Sequence, residues 1–331
     1  MQAFEYAAPS TKDQAAALLG SRWEDAAVFA GGTDLISSMK DNLQASRRLV
    51  DIKGIRELSG IEVNSNGLRL GALVTLEELR AHTGIVKEYP GIAQAASGVT
   101  SPQMRSRGTV GGDLCQRPRC WYYRAGYGLL AKDKDGKSLV PNGENRYHAI
   151  FGNGGPAYFV NPSSLAPILM ALGAKVRLYS SSGSREVALE KFFVIPKNDN
   201  DRENVLKPNE ILTEIVVPPG AQQTATYEVR QKEALDWPLV AASVALRMKN
   251  GKVDSARVVL GHVAPVPWRS TEAEKAIDGK PVNAETALEA GKAAVHPAHP
   301  LSQNGYKVQL ARVAVKRALL RAGLNVVGGG A

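Results

Sequence analysis

Two segments of this chain place a pair of glycines next to a hydroxyl and an acidic residue. The first, Gly31–Asp34, follows the apolar run Ala27–Ala30 and leads into a helix start at Leu35. The second, Gly108–Asp113, repeats the same chemistry. Glycines let a ligand approach the backbone closely, and the first amides of a helix are unpaired and favour an anion. Two such turns predict that the chain holds a pyrophosphate from both sides.

Each turn alone is also compatible with a plain tight connection between strand and helix. Neither turn has the Lys-Ser/Thr that follows the glycines of a P-loop, and neither has clean GxGxxG spacing. The pair therefore favours nucleotide pyrophosphate binding by a different fold.

The region around the first turn predicts a small parallel αβ unit. Lys12–Leu19 has the pattern of a helix, with Thr11 as its N-cap and Gly20 as its end. Ala27–Ala30 and Arg48–Ile52 are short apolar strands with the turn and a helix between them. This order indicates parallel strands.

The middle of the chain predicts a second group of elements. Leu68–Ala72 and Lys175–Tyr179 have the pattern of strands, and Thr75 begins a capped helix. Pro218–Gly220 contains strong breakers and is the best linker candidate.

The last third predicts an antiparallel sheet and a closing helix. The predicted strands are Thr224–Lys232, Ala241–Met248 and Val253–Leu260. Lys249–Gly251 is a turn, and Tyr306–Ala322 is a helix. Its predicted apolar face contains Leu310, Val313 and Leu320.

Composition excludes several classes of protein. The 331 residues include 41 Lys and Arg against 32 Asp and Glu, a net charge of +9, with 44% hydrophobic residues. This describes a globular protein of two or three domains, not a disordered chain, a collagen or a coiled coil. The two cysteines, Cys115 and Cys120, exclude a disulfide framework and a four-cysteine metal site.

No signal peptide or membrane helix is expected. The N-terminus lacks a basic region followed by an apolar run, and the longest uncharged run, Tyr147–Ala174, is interrupted by three prolines. A cytoplasmic location is expected, with export alongside a signal-bearing partner to the periplasm as the alternative.

Other conspicuous residues favour structural roles. His296 and His299 have metal-like spacing, but Pro297 lies between them and Pro300 follows, which indicates a loop. Cys115 and Cys120 are expected to be free buried thiols, with a redox disulfide as the alternative. Trp121–Tyr123 suggests packing or partner contact. No metal site and no catalytic nucleophile–base set is predicted.

The basic charge raises nucleic-acid binding as a rival function. The basic residues are spread along the chain, with modest concentrations at Arg105–Arg124 and Lys307–Arg321. Both are interpreted as solvated faces or docking surfaces for an acidic partner, so no nucleic-acid partner is expected.

Taken together, these motifs resemble the FAD-binding subunits of the molybdenum hydroxylases, the family of xanthine dehydrogenase and carbon monoxide dehydrogenase. The resemblance covers nearly the whole chain. Its motifs are Ala30–Leu35, Leu49–Ile52, Leu70–Ala72 with Thr75, Ser101–Arg105, Gly108–Gly112, Asn161–Pro167, Leu172–Ala174, Arg230–Asp236 and Gly261–Pro267. Within the family the chain most resembles aldehyde oxidoreductase FAD-binding subunits of the periplasmic type.

The resemblance implies an α+β fold. A two-part FAD-binding fold of the vanillyl-alcohol-oxidase-like (PCMH) type would be followed by a C-terminal α/β domain of the CO dehydrogenase flavoprotein type. The expected divisions are an N-terminal αβ subdomain at 1–55, a second FAD-binding subdomain at 56–221, and a C-terminal domain of antiparallel strands and helices at 222–331.

It also implies an electron-transfer subunit of a heterotrimer. A large partner would carry the molybdenum cofactor, and a small partner with [2Fe–2S] clusters would pass electrons to FAD. The flavin would then reduce an external acceptor. The expected FAD-binding residues are Ala30, Gly31, Gly32, Thr33, Asp34, Leu35, Thr100, Ser101, Gly108, Thr109, Gly111, Gly112, Asp113, Ser164, Arg230 and Lys232.

Relatives of the periplasmic type carry an extra [4Fe–4S] cluster in a segment similar to Cys115–Ile150. Here residues 125–142 contain no cysteine, and two thiolates cannot complete a four-thiolate cluster. The chain is therefore expected to lack the extra cluster.

Two positions depart from the family pattern. Asp113 replaces the usual Asn, and its carboxylate would repel a pyrophosphate unless it bonds to a sugar or a backbone amide. Ser164 replaces the usual Asp, which removes one polar contact to the nucleoside side. A self-contained flavin reductase or oxidase of the same fold is the alternative function.

Overall fold

Three β-sheets organise the chain in this computed structural model, which describes residues 1–220, 222–234 and 236–324. The strands are β1 (Glu5–Ala7), β2 (Ala27–Phe29), β3 (Arg48–Asp51), β4 (Ile61–Asn64), β5 (Gly67–Gly71), β6 (Lys175–Ser180), β7 (Gly183–Ala188), β8 (Ile211–Val217), β9 (Gln223–Val229), β10 (Val240–Lys249), β11 (Lys252–Gly261) and β12 (Trp268–Arg269). Mixed helices and sheets agree with the expected α+β class.

Helices cover and connect these sheets. They are α1 (Lys12–Ala17), α2 (Leu35–Lys40), α3 (Leu76–Ala81), α4 (Thr83–Glu88), α5 (Pro90–Gly98), α6 (Pro102–Arg107), α7 (Val110–Cys115), α8 (Trp121–Arg124), α9 (Ala166–Ala171), α10 (Leu189–Phe192), α11 (Thr271–Ile277), α12 (Ala284–Ala294) and α13 (Tyr306–Leu324), with a 3₁₀ turn at Arg56–Leu58. None of these helices is both long and apolar enough to cross a membrane.

The first sheet is small and parallel, in the order β1-β3-β2. The predicted parallel pairing of Ala27–Phe29 with Leu49–Asp51 is confirmed. Thr11 caps α1, since its side chain accepts a hydrogen bond from the Gln14 amide at 3.2 Å. The helix ends at Ala17, two residues before the predicted end.

The second sheet is antiparallel, in the order β4-β5-β8-β6-β7. The predicted helix start at Thr75 is a complete capping box, because Thr75 and Glu78 each accept a hydrogen bond from the other's backbone amide. The buried side chains of α3, α5 and α9 form one core with this sheet, which includes Leu79, Ile92 and Ile168.

The third sheet is antiparallel, in the order β12-β11-β10-β9. Asn250 and Gly251 join β10 to β11 with φ angles of 51° and 73°. This left-handed pair suits a hairpin turn, because it matches the twist of the strands. The predicted strand Thr224–Lys232 is too long, since the Lys232 amide donates to the Asp236 carboxylate beyond the end of β9.

The predicted apolar face of the closing helix α13 is confirmed only in part, since Leu310 and Leu320 pack against the core from its edge. Leu310, Val313 and Leu320 are only partly buried. The face packed against β9 and β10 consists mainly of small side chains, namely Lys307, Ala311, Ala314, Val315, Ala318, Leu319 and Ala322. Alanines allow the helix to approach the sheet closely, which a count of large apolar residues does not detect. Residues 325–331 of the predicted third domain lie outside the described residues.

Candidate functional site

The two glycine turns are in direct backbone contact. Gly31 leaves no room for a Cβ, which would overlap the carbonyl oxygen of Arg107 at the start of the second turn. Gly32 has a φ of 72°, a conformation that other residues rarely adopt. Both glycines are therefore required by the geometry that brings the turns together.

Residues of both turns line the same two cavities. The larger cavity contains Ala30–Leu35 from the first turn and Thr109 and Gly112 from the second. A smaller one next to it is lined by Thr33, Asp34, Gly108, Thr109, Gly112, Asp113 and Ser164. The structure thus brings together most of the predicted site residues.

The two turns offer different hydrogen-bond donors. None of the described residues accepts a bond from the backbone amides of Gly31–Asp34. In the second turn, by contrast, the Gly111 amide donates to Ala72 O at 2.9 Å, and the Gly112 amide donates to the Thr109 hydroxyl at 3.1 Å. The Asp113 amide donates to Thr109 O at 2.8 Å. These amides thus have partners within the chain, and a role of Gly111, Gly112 and Asp113 on the second phosphate side stays a prediction.

Asp113 is an anchor within the protein. Its buried carboxylate accepts hydrogen bonds from the amides of Ser164 and Leu165, at 3.2 and 3.0 Å, and from the Ser163 hydroxyl. The Gln116 side chain donates to it at 3.0 Å. Burial raises the pKa of Asp113, which these donors oppose. Asp113, which replaces the usual Asn, thus fixes the loop that carries Ser164. Its carboxylate is hydrogen-bonded within the protein and does not face a ligand unpaired.

Asp34 ties a covering segment, residues 116–124, to the first turn. Its carboxylate accepts from the Arg117 amide at 2.7 Å and pairs with the guanidinium groups of Arg119 at 2.7 Å and Arg124 at 2.8 Å. Arg124 also bonds to Ser38 at 2.9 Å. The interpretation of Arg119 and Arg124 as part of a solvated face is wrong, because both side chains are largely buried against the first turn.

A further group of charges on the larger cavity was missed from the sequence. Arg202 stacks over the ring of Trp23 at 4.1 Å, and both line the cavity with Arg117. Burial and the neighbouring Arg117 lower the pKa of Arg202 to about 10. Arg117 pairs with the buried Glu203 at 2.8 Å. The segment 202–204 has no motif, so no sequence signal could have placed it here.

Five predicted site residues do not line these two cavities: Gly111 lies in the second turn against Ala72, and four others lie outside the turns. Ser101 caps α6 by accepting from the Met104 amide at 3.3 Å, and Thr100 precedes it outside the lining. Arg230 pairs with the buried Glu228, and Lys232 is exposed. None of these four lines either cavity, whereas Val99 and Met104 line the smaller one, and their role toward the cofactor stays a prediction.

Both cysteines are free thiols. Burial raises the pKa of Cys115 to about 12, so its thiol stays protonated. The Cys120 sulfur lies 3.1 Å from the His148 Nε2. Within the described ranges no three His, Cys, Asp or Glu side chains are grouped so that they could hold a metal ion. The absence of an extra cluster stays a prediction.

Comparison with known proteins identifies the class. Residues 2–220 match the FAD binding domain in molybdopterin dehydrogenase, and residues 225–322 match the CO dehydrogenase flavoprotein C-terminal domain. The aldehyde oxidoreductase FAD-binding subunit PaoB of Escherichia coli (strain K12) is 31% identical over 321 residues, 94% of this chain and 96% of PaoB.

Carbon monoxide dehydrogenases are similar in sequence and structure. The medium chain from Hydrogenophaga pseudoflava is 30% identical over 321 residues, 96% of each chain. In a solved structure of that organism's enzyme, one chain superposes with a TM-score of 0.75 at 28% identity, covering 98% of both chains.

Fold and site together define an FAD-binding oxidoreductase component. The chain belongs to the family of FAD-binding subunits of the molybdenum hydroxylases. The expected fold class and the expected cofactor, FAD, are both confirmed.

Proposed function

We propose that this chain is the electron-transfer subunit of a heterotrimeric molybdenum hydroxylase that oxidises an aldehyde. A large partner would carry the molybdenum cofactor, and a small partner would deliver electrons from [2Fe–2S] clusters. Similarity to PaoB over 94% of the chain supports the aldehyde. The main support from this chain is the contact between the two glycine turns, which lie under an arginine-rich covering segment.

The residues of this chain fit FAD in three respects. Gly31 lets the Arg107 carbonyl approach the first turn closely, so the two turns meet and residues of both line the same cavities. The amides of Gly31–Asp34 and the Thr33 hydroxyl supply donors. Bonds from such donors to an ionised group contribute roughly 1.5–3 kcal/mol each. Arg117 and Arg202 supply positive charge nearby.

Bound FAD supplies the chemistry of taking up single electrons and releasing them in pairs. The protein's residues bind and orient the cofactor. Arg119 and Arg124 hold the covering segment over the first turn through Asp34, and this shields the site from water. With Cys115 kept protonated by burial, the lining of the larger cavity is suited to binding and not to covalent catalysis.

Replacement of Gly31 tests the site. Gly31→Ala would drive a methyl group into the Arg107 carbonyl and separate the two turns. Gly54→Ala is the matched control, because nothing lies within 4 Å of a Cβ at Gly54. We expect the Gly31→Ala chain to bind FAD at least tenfold more weakly, measured by flavin fluorescence during titration, while Gly54→Ala binds normally. Unchanged FAD affinity in Gly31→Ala would place the cofactor elsewhere.

The substrate is tested on the whole complex. The flavin and [2Fe–2S] absorption bands of the anaerobic holoenzyme should bleach when an aldehyde is added and should not bleach with carbon monoxide. Bleaching by carbon monoxide alone would contradict the aldehyde proposal and leave the electron-transfer role intact. A preparation without flavin bands would contradict both.

A further inference from the structure

The C-terminal helix α13 carries basic charge without any acidic residue. Its 19 residues include five Lys and Arg and no Asp or Glu. Four of the basic side chains are exposed or half-buried, namely Arg312, Lys316, Arg317 and Arg321. None of these four forms an ion pair with a described residue. A cluster of unpaired cations favours a partner of the opposite charge.

Three apolar side chains lie among these cations. Val313, Leu320 and Leu324 are seven and four residues apart, a spacing that places them on one side of a helix. Val313 and Leu320 are half-buried, and Leu324 is 71% exposed. The alanines that pack against β9 and β10 lie on the other side of the helix. We call the outward surface the α13 face, which consists of Val313, Lys316, Arg317, Leu320, Arg321 and Leu324.

Two arginines of the α13 face are held in place by the neighbouring strand β9. The guanidinium groups of Arg317 and Arg321 each lie 5.2 Å from the centre of the Tyr227 ring. Arg317 also donates to the Tyr227 hydroxyl, and Arg321 donates to Thr226 O at 3.0 Å. Side chains that are already fixed in the free protein lose less entropy when a partner binds. Arg317 and Arg321 are thus preorganised to meet an anionic surface.

The mixture of charges and apolar groups on the α13 face favours a protein as the partner. A second copy of the same face would bring cations against cations, which is unfavourable. A nucleic acid would place its phosphates against Val313 and Leu320, which cannot bind them. A protein interface, by contrast, combines apolar contacts with a polar rim and is enriched in arginine. The matching surface therefore carries apolar groups surrounded by Asp and Glu.

The α13 face is too small to hold a partner by itself. A helix of 19 residues is about 28 Å long and roughly 10 Å wide, so one face of it offers on the order of 300 Å². A stable protein–protein interface needs about 800 Å² from each partner. The partner must therefore contact this chain at a second place as well, as a subunit of a larger complex does.

We propose that the α13 face docks an acidic surface of a partner subunit. This inference rests on the proposed function, because it takes the partner from the proposed heterotrimer. Carboxylates of the partner pair with the basic side chains of the face, and its apolar side chains cover Val313, Leu320 and Leu324. No residue of the α13 face lines the two cavities of the glycine turns. Substitutions on this face should therefore weaken assembly and leave FAD binding intact.

Charge reversal in the co-expressed complex tests the proposal. The face variant Lys316→Glu with Arg317→Glu lowers the net charge of the chain from +9 to +5. The control Lys275→Glu with Lys280→Glu makes the same change at exposed positions on α11 and just after it. We expect the dissociation constant of the complex, measured by mass photometry on dilution, to rise at least tenfold in the face variant only. Between about 50 and 500 mM NaCl it should rise in the wild type but not in the face variant, where salt screens repulsion.

A milder variant, Val313→Ser, keeps the charge and should weaken assembly about fivefold with the salt dependence of the wild type. FAD content and helical circular dichroism report the folding of each variant. Equal assembly of the face variant, Val313→Ser, the control and the wild type would overturn the proposal. Loss of oligonucleotide binding or of self-association in the face variant would then assign the face to a nucleic acid or a second copy. Failure of the wild type to assemble with any molybdenum or iron–sulfur subunit would contradict the proposed function as well.

Discussion

Asp113 is a carboxylate in the second glycine turn whose hydrogen bonds are all made within the protein. Four donors from Ser163, Ser164, Leu165 and Gln116 surround it, and two of these are backbone amides at the start of α9. From the sequence, the Asp113 carboxylate was expected to repel a pyrophosphate unless it bonded to a sugar or a backbone amide. The sequence could not show which amides, because they lie about fifty positions further along the chain.

Replacement of Asp113 should therefore affect stability. Asp113→Asn turns a pure acceptor into a group whose amide faces donors, so at least one charged hydrogen bond is lost. We expect the free energy of unfolding to fall by about 2–3 kcal/mol, measured by urea denaturation. The control Asp254→Asn, on the exposed face of β11, should change it by less than about 0.5 kcal/mol. Equal effects of the two substitutions would contradict the anchoring role.

Stability should depend on pH through the buried histidines. Burial lowers the pKa of His148 to about 4 and that of His262 to about 3, from 6.5. Below pH 6.5 the unfolded chain binds protons that the folded protein does not, so the free energy of unfolding falls as the pH is lowered toward 4. His148→Phe removes one of these titrations. Its loss of stability between pH 7 and 4.5 should be smaller than that of the wild type by about 2 kcal/mol.

Urea denaturation at the two pH values provides the measurement, and His296→Phe is the control, because His296 is exposed. The same pH dependence in His148→Phe and wild type would show that His148 is protonated in the folded protein at acidic pH.

At the scale of elements, local signals predicted the parallel unit and the capped helices correctly. Thr11 and Thr75 cap helices that begin at the next residue, and Gly32 acts through its own φ of 72°, so sequence patterns detect them. The covering segment was misinterpreted for the opposite reason. Arg119 and Arg124 look like a solvated cluster until the fold brings them to Asp34, about 85–90 residues earlier.

Two arginines of the covering segment pair with one carboxylate, Asp34, while Arg117 pairs with Glu203, so the contribution of Asp34 to its order is testable. Asp34→Asn removes the charge that holds Arg119 and Arg124, so residues 116–124 should exchange amide hydrogens faster. We expect at least a tenfold increase by hydrogen–deuterium exchange, since the two arginine pairs are partly buried. Asp41→Asn, at the exposed end of α2, should leave the exchange unchanged. Unaltered exchange in Asp34→Asn would show that packing alone fixes the segment.

At the scale of the whole molecule, the family resemblance predicted the class, and the structure supplied what the resemblance could not. Arg202 and Trp23 come from distant parts of the chain and carry no motif, yet they line the larger cavity beside the first turn. Thr100, Ser101, Arg230 and Lys232 have motifs of the family but lie elsewhere. A sequence motif shows that two proteins are related. Which side chains line a cavity depends on the packing of the folded chain.

Cofactor content tests the prediction that this chain binds FAD and lacks an extra iron–sulfur cluster. The purified chain should contain about one FAD and no iron, because Cys115 and Cys120 cannot complete a four-thiolate cluster. Colorimetric iron analysis after reconstitution with iron and sulfide provides the measurement. Four iron atoms per chain, retained through gel filtration, would contradict the prediction.

Lys307 bears on whether the two matched domains of this chain can be separated from each other. Its bonds join the C-terminal helix to backbone at Tyr147 and His148, 160 and 159 residues earlier. The glycine turns lie entirely on the first matched domain, whereas Trp237, which lines the smaller cavity with them, lies on the second. Recombination at Pro218–Gly220 would transfer both glycine turns to a new protein without Lys307. The two glycine turns would thus stay together in the first matched domain, whereas the wall that Trp237 adds to the smaller cavity would be lost.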